Sequence, residues 1–297
     1  MRFFAEFVMK SRSRAAGAAV LTAFLPVLSL ISGAILALVW LRMGRHEGLY
    51  LLFWVSLPGV YYLFAQNNPD LLLLLLGTAL LAEILRQTQN WPQVLLAGMG
   101  LGSLVALGYQ WLPDDIQEHF IQVLVNQGGL VQFDELSASD QQQVMGLMSL
   151  LLNGVITAVQ ILLIFISLFL ARWWQALLYN PGGFQEEFHQ LRMPSWFPIA
   201  FGVVILAVAL GIQLLLPLVP LLFVPLLIAG LALIHWVVAI KQYNTFWLGM
   251  LYVLLLFALP YLSVLLVLIA MADSLMNFRQ RLAPPPPPAD KGDDGDA

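Results

Sequence analysis

Glu186 and His189 stand three residues apart, the Glu-x-x-His spacing that puts two metal ligands on one helix face in di-iron bundles. Those bundles use the motif twice and add carboxylates from other helices. Here it occurs once, so the residues give no metal site. The other histidines, His46, His119 and His235, fall in separate segments, and their spacing draws neither a zincin nor a catalytic triad. The chain has no cysteine, which excludes thiolate nucleophiles, disulfides and thiolate-bound metals. Gly98, Gly100 and Gly102 lack the lysine that a phosphate-binding loop requires; with Gly108 they suit close helix packing. No paired acid and base stands out, so the residues favour a protein that is not an enzyme and needs no cofactor.

Binding chemistry has better candidates. His235 lies in an apolar run beside Trp236, and an ionisable group at membrane depth marks a functional site by default. In that reading a polar partner such as Gln213 or Asn153 lies within hydrogen-bond reach; the structural alternative is a neutral histidine donating to a neighbouring helix carbonyl. Arg86 stands three residues after Glu83, the spacing of an ion pair on one helix; contact with a substrate carboxylate is its functional alternative. Gln160 joins Asn153 and Gln213 as uncharged polar residues within apolar runs, which usually bond helix to helix. The candidate ligand set is therefore His235, Arg86, Gln213 and Asn153.

The elements that must position these residues follow from composition. Of 297 residues, 60% are hydrophobic and 10% charged, against about 25% charged in a soluble domain. That is an all-α polytopic membrane protein, with the lipid bilayer as its first partner. The net charge of −4 leaves no basic surface for nucleic acid. A span needs roughly 20 apolar residues, and such runs cover 15–41, 49–65, 71–85, 91–112, 144–171, 198–240 and 246–272. The run 198–240 is long enough for two helices and contains Pro217, Pro220 and Pro225, so it divides near 218–220. About eight segments result, in one membrane domain over 1–282. The first run follows Lys10, Arg12 and Arg14 and exceeds a signal peptide's apolar stretch, so it reads as an uncleaved segment. Residues 283–297, with Pro284–Pro288 and then acidic residues, read as a disordered, extended tail.

Charges orient the chain, because Lys and Arg collect in cytoplasmic loops. Eight simple crossings divide the 13 Lys and Arg residues almost evenly. If the first run turns back at Pro26 and the last at Pro260, all fall on the cytoplasmic side with the amino terminus. Half-helices of that kind survive only when packed in protein; at Pro260 the alternative is a kinked long helix with the tail outside. The interval 113–143 carries six acidic residues and no Lys or Arg, which makes it a periplasmic loop. Ile116, Phe120, Ile121, Leu124 and Val125 form an apolar stripe there, and Ser139 with Gln142 form a capping box for the next helix.

The segment 172–197 is the expected cytoplasmic loop. Arg172, Trp173 and Trp174 make an interfacial belt. Asn180-Pro181-Gly182-Gly183 is a tight turn in which glycine supplies positive φ, and 185–193 reads as an amphipathic helix stopped by Pro194. The run from Ala171 through Tyr179, Asn180 and Phe184, followed by Glu187-Phe188-His189 and Leu191-Arg192, resembles the proteobacterial branch of the YybS-like predicted membrane proteins (domain of unknown function 2232). The stretch 25–33, with Arg42 and Gly44 after it, is similar to that family's first segment. Membership implies a bacterial inner-membrane protein and brings no activity with it. A more distant likeness extends to the substrate-binding S components of energy-coupling-factor transporters, which also begin with a proline-interrupted hairpin. Two functions follow as expectations: an S-component-like subunit that binds or transports a small molecule with an energising module, or an accessory protein that recruits a cytoplasmic partner. The docking set for the second is Arg172, Trp173, Trp174, Tyr179, Asn180, Pro181, Gly182, Gly183, Phe184, Glu187, His189 and Arg192.

Overall fold

The computed structural model describes residues 2–25, 28–109 and 137–282, so the loop expected before 137 and the tail from 283 lie outside the described residues. Within them the chain is all helical. Its elements are α1 (Arg2–Met9), α2 (Arg12–Ala23), α3 (Ser29–Met43), α4 (Arg45–Gln66), α5 (Asp70–Thr88), α6 (Trp91–Tyr109), α7 (Ala138–Tyr179), α8 (Gly183–Gln190), α9 (Trp196–Ala209), α10 (Leu218–Ile240), α11 (Phe246–Phe257), α12 (Leu259–Met276) and α13 (Phe278–Leu282), with a 3₁₀ turn at Gln213–Leu215. Six stretches are long and apolar enough to cross a membrane: Arg45–Gln66, Asp70–Thr88, Trp91–Gly108, Ser139–Tyr179, Gln213–Ile240 and Leu259–Met276. This is a helical membrane protein. Three further apolar helices, α3, α9 and α11, are shorter.

Local chemistry sets the boundaries. α4 and α5 outrun their apolar cores, and the turn between them closes on Asn67, at φ 51°, and on Asn68, whose Oδ1 accepts the Asp70 N–H at 2.8 Å. α7 is 42 residues long, about 63 Å, and runs past Ala171 to Tyr179 because no breaker precedes Asn180-Pro181. Ser137, not Ser139, caps it. Ser137 has extended backbone and its Oγ accepts the Asp140 N–H, whereas Ser139 already lies within the first turn. The run 198–240 breaks earlier than 218–220, at Gly211 with φ 98°. Pro220 sits in the first turn of α10, where its missing N–H has no helical partner to lose, and Pro225 is accommodated inside the helix.

Two runs fold back on themselves. Arg12 at the start of α2 pairs with Glu47 at the start of α4, so α2 and α3 form a hairpin whose ends share one end of the bundle. Pro26 itself lies outside the described residues. α3 is the most enclosed helix, buried at every residue from Ser32 to Leu41. Backbone groups near the tip are satisfied by side chains: Tyr62 Oη donates to the Phe24 carbonyl (2.7 Å) and Ser167 Oγ to that of Leu30 (3.1 Å). A helix end at membrane depth requires such partners. The second reversal falls at Ala258, with φ −125° and ψ 35°, just before Pro260. Thr245 ahead of α11 lines a cavity with His189, and Arg279 beyond α12 donates to the His189 carbonyl. Both ends of the run therefore meet at α8.

Contacts collect the cations at that same end. Arg12 pairs with Glu47, Arg86 with Glu83 and Arg172 with Glu187, while Arg192 and Arg279 flank Asp273. Arg42 stacks on Tyr179, 4.0 Å from the ring centroid, and Phe4 of α1 meets Trp174 at 5.5 Å. Close packing elsewhere uses two of the four glycines expected for it. A Cβ at Gly98 would lie 2.5 Å from Phe165, and one at Gly102 2.7 Å from Leu221; Gly100 and Gly108 have open space.

Candidate ligand-binding site

α7, α8, α10 and α11 surround a cavity of about 790 Å³. Its position follows from one turn. Gly182 takes φ 93°, a conformation that side-chain-bearing residues rarely adopt, and the chain leaves α7 to lay α8 back across its flank. Arg172 of α7 then forms an ion pair with Glu187 of α8, and Trp91 Nε1 donates to Glu187 at 3.1 Å. With the carboxylate engaged twice, α8 turns its apolar face inward. Phe184 and Phe188 meet Phe169 at ring-centroid separations of 6.1 and 5.7 Å, within the range of favourable aromatic pairing.

At the other wall, His235 of α10 and Tyr252 of α11 share a hydrogen bond of 2.9 Å between Nε2 and Oη. The Phe188 ring stands perpendicular to the imidazole at 5.4 Å. Trp173 and Leu231 complete the apolar body, and His189, Gln185, Gln242 and Thr245 bring polar groups to the rim. Burial, and next the Arg279 cation, hold the His189 pKa below the usual histidine range.

A second cluster fastens α8 to the end of α12. Arg279 donates to the carbonyls of His189 and Leu191. Arg192 donates to those of Asp273 (3.1 Å) and Ser274 (2.8 Å). The buried Asp273 carboxylate lies 3.3 Å from Arg279 Nε and 4.0 Å from Arg192 Nε, contacts of an ion pair more than of aligned hydrogen bonds, and it accepts the Phe278 N–H at 3.0 Å. Two guanidinium groups thus neutralise one buried carboxylate and close four helix-end carbonyls.

Of the candidate ligand set, His235 alone faces the cavity. Arg86 sits against Gly44, 3.9 Å from Glu83, whose shorter bonds are from Trp40 Nε1 and Gln87 (2.7 Å each). Asn153 is buried one residue from Gly154, which abuts Pro217, and Gln213 is exposed; both stand towards the opposite end. The partner of His235 is Tyr252 instead, because α11 folds beside the end of α10 while Gln213 precedes its start. Gln160 does bridge helices, donating to the Asp70 carbonyl at 2.7 Å.

The docking set divides in four. Arg172, Glu187, His189 and Arg192 bond within the protein. Trp173, Gly182 and Phe184 line the cavity. Trp174 is 1% exposed, so its ring packs the bundle and meets no partner. Tyr179, Asn180, Pro181 and Gly182 form the exposed tip, with Gly183 behind Asn180. Tyr252, Asp273 and Arg279 are the residues that sequence reasoning missed. Asp273 carried a signal, as the one Asp, Glu, Lys, Arg or His between Phe246 and Met276; Tyr252 carried none. Among the described residues no three His, Asp or Glu side chains converge as metal ligands. Compared with protein-family models, with curated proteins and with solved structures, the chain finds no match.

Proposed function

We propose that this protein is a small-molecule binding or transport subunit of a bacterial inner membrane, with its site in the cavity between α7, α8, α10 and α11. The observation that carries the reading is the His235–Tyr252 pair set in the apolar wall of a cavity of about 790 Å³. Ligand sites are commonly concave, mostly apolar and furnished with a few convergent polar groups. The basic end is cytoplasmic by the positive-inside rule, which puts the amino terminus, 172–197 and α13 on that side. On this topology the α2–α3 and α11–α12 hairpins enter the membrane from the cytoplasm and return. The short first hairpin agrees with the distant resemblance to S components.

Purification in mild detergent, followed by solvent extraction and mass spectrometry of the extract, tests the reading. A small molecule should co-purify with the wild type and be lost or depleted from Leu231→Trp, which puts an indole into the cavity. An extract identical for both proteins, at full occupancy or at none, defeats it. The exposed tip Tyr179–Asn180–Pro181–Gly182 supports a second reading, recruitment of a cytoplasmic partner or energising module. For that reading Asn180→Ala should strip a co-purifying protein and leave the small-molecule extract unchanged.

A further inference from the structure

The cavity differs from the rest of the basic end in one respect: no Lys, Arg, Asp or Glu lines it. The nearest guanidinium groups are engaged outside it: Arg172 is paired with Glu187, and Arg192 and Arg279 share Asp273 and turn their remaining N–H groups to helix-end carbonyls. An anionic or cationic ligand would enter this space without a counter-charge, and an unpaired charge out of water is strongly disfavoured.

What the cavity offers is one hydrogen-bonding pair and aromatic walls. His235 Nε2 and Tyr252 Oη lie 2.9 Å apart, and one proton lies between them. The neutral pair holds two N–H or O–H protons, so one is always spare. If Nε2–H donates to Oη, the Tyr252 hydroxyl proton is free for a carbonyl. If Oη–H donates to Nε2, an Oη lone pair accepts from a hydroxyl, and Nδ1–H points elsewhere. Either tautomer serves one neutral oxygen. Next to the pair, Phe188 begins an aromatic cluster with Phe184 and Phe169, whose rings are set at angles to one another and hold each other in place.

Access is from the side. Of α11, Leu255 alone is buried, and Tyr252 is 47% exposed, so the cavity wall on that side is one lightly packed apolar helix. A ligand arriving there comes through the hydrocarbon of the bilayer. Taking the cavity as a binding site in the sense above, we propose that its ligand is an uncharged, ring-bearing lipophile with a carbonyl or hydroxyl, bound with that oxygen at the His235–Tyr252 pair and its ring among Phe169, Phe184 and Phe188.

The test uses the full chain in detergent and four probes with one chain length: a decyl-substituted benzoquinone, decylbenzene, decyl phosphate and decyltrimethylammonium. Binding is read from displacement of a fluorescent lipophile, with Leu231→Trp as the obstructed-cavity control. The benzoquinone should bind best. One hydrogen bond is worth roughly 3–10-fold in affinity, so Tyr252→Phe should bring the benzoquinone down by about that factor, close to decylbenzene, while decylbenzene itself is unchanged. Tyr252 is half exposed, so the substitution leaves the fold alone; His235→Gln checks the same bond from its other side. Preference for decyl phosphate or the ammonium, abolished by Leu231→Trp, overturns the uncharged class and leaves the binding site standing. Equal binding of benzoquinone and decylbenzene, indifferent to Tyr252→Phe, overturns the polar anchor. Displacement by no probe, in wild type and Leu231→Trp alike, overturns the site and this assignment with it.

Discussion

Arg279→Met probes the clamp that holds α8 against α12. The guanidinium supplies two charge-assisted bonds, to the His189 and Leu191 carbonyls, and an ion-pair contact of 3.3 Å to the buried Asp273. Methionine fills similar volume and donates nothing. Two carbonyls lose their donors, and Asp273 keeps only Arg192 at 4.0 Å and the Phe278 N–H. Breaking a buried ion pair by removing one partner costs about 3–5 kcal/mol, and about 1 kcal/mol moves the midpoint by some 2–4 °C in a chain of 150–250 residues. The melting temperature in detergent should therefore fall by roughly 10 °C. The loss should also be local: amide exchange should rise across α8 and α13, with α3 and α5 unchanged. Asp273→Leu with Arg279→Met should be milder than the sum of the two, with a coupling of at least about 1 kcal/mol, because the double variant strands no buried carboxylate, and Arg192 is less buried and keeps its two carbonyl bonds. A melting temperature within about 2 °C of wild type, or additive single effects, refutes the clamp.

Trp174 distinguishes packing from docking. Its ring is buried and its Nε1 has no hydrogen-bond partner among the described residues, so Trp174→Phe should be near neutral while Trp174→Ala lowers stability by about 3–5 kcal/mol in thermal unfolding. Equal behaviour of the two variants contradicts that. His189 sets a pH dependence. Burial and Arg279 depress its folded pKa, so the unfolded chain takes up the proton first, and stability should decline as pH drops from about 6.5 towards the folded value. His189→Gln should flatten that slope between pH 7 and 5; an unaltered slope assigns it to other groups. Topology is open to single-cysteine labelling because the native chain has none. In intact spheroplasts an impermeant maleimide should modify cysteine at Ser137 and spare it at Ser195, both exposed positions; the reverse pattern inverts the proposed orientation.

The architecture was legible where a single segment contains its own reason. Hydrophobic length located the apolar runs, Asn-Pro-Gly-Gly located the turn at Gly182, and prolines marked the two reversals. Boundaries went astray where two signals compete. Ser137 and Ser139 both precede a helical pattern, and the deciding factor, which residue takes extended backbone, is not a property of residue type. Pro220 and Pro225 looked like breakers, yet a proline in the first helical turn removes no bond, and Gly211 supplied the actual break with positive φ.

The site was harder to see because its chemistry is between segments. His235 stood out alone, since a histidine in hydrocarbon is rare whatever it touches. Its partner Tyr252 lies 17 residues later on another helix, and tyrosine in an apolar run reads as a membrane-interface residue. Nothing local separates Tyr252 from Tyr261, which is 84% exposed. The docking motif was hard to divide for a related reason. Arg172, Trp174, Glu187 and Arg192 are the kinds of residue that recognise partners, but here each meets a group from its own chain. Arg172 needs Glu187 to hold α8 down; Arg192 needs the helix end at Asp273 and Ser274. A short surface helix can roof an apolar cavity only if such bonds replace the water that its polar face gives up. The residues that looked available for a partner are the ones that build the roof, and the exposed tip from Tyr179 to Gly182 is what the roof leaves over.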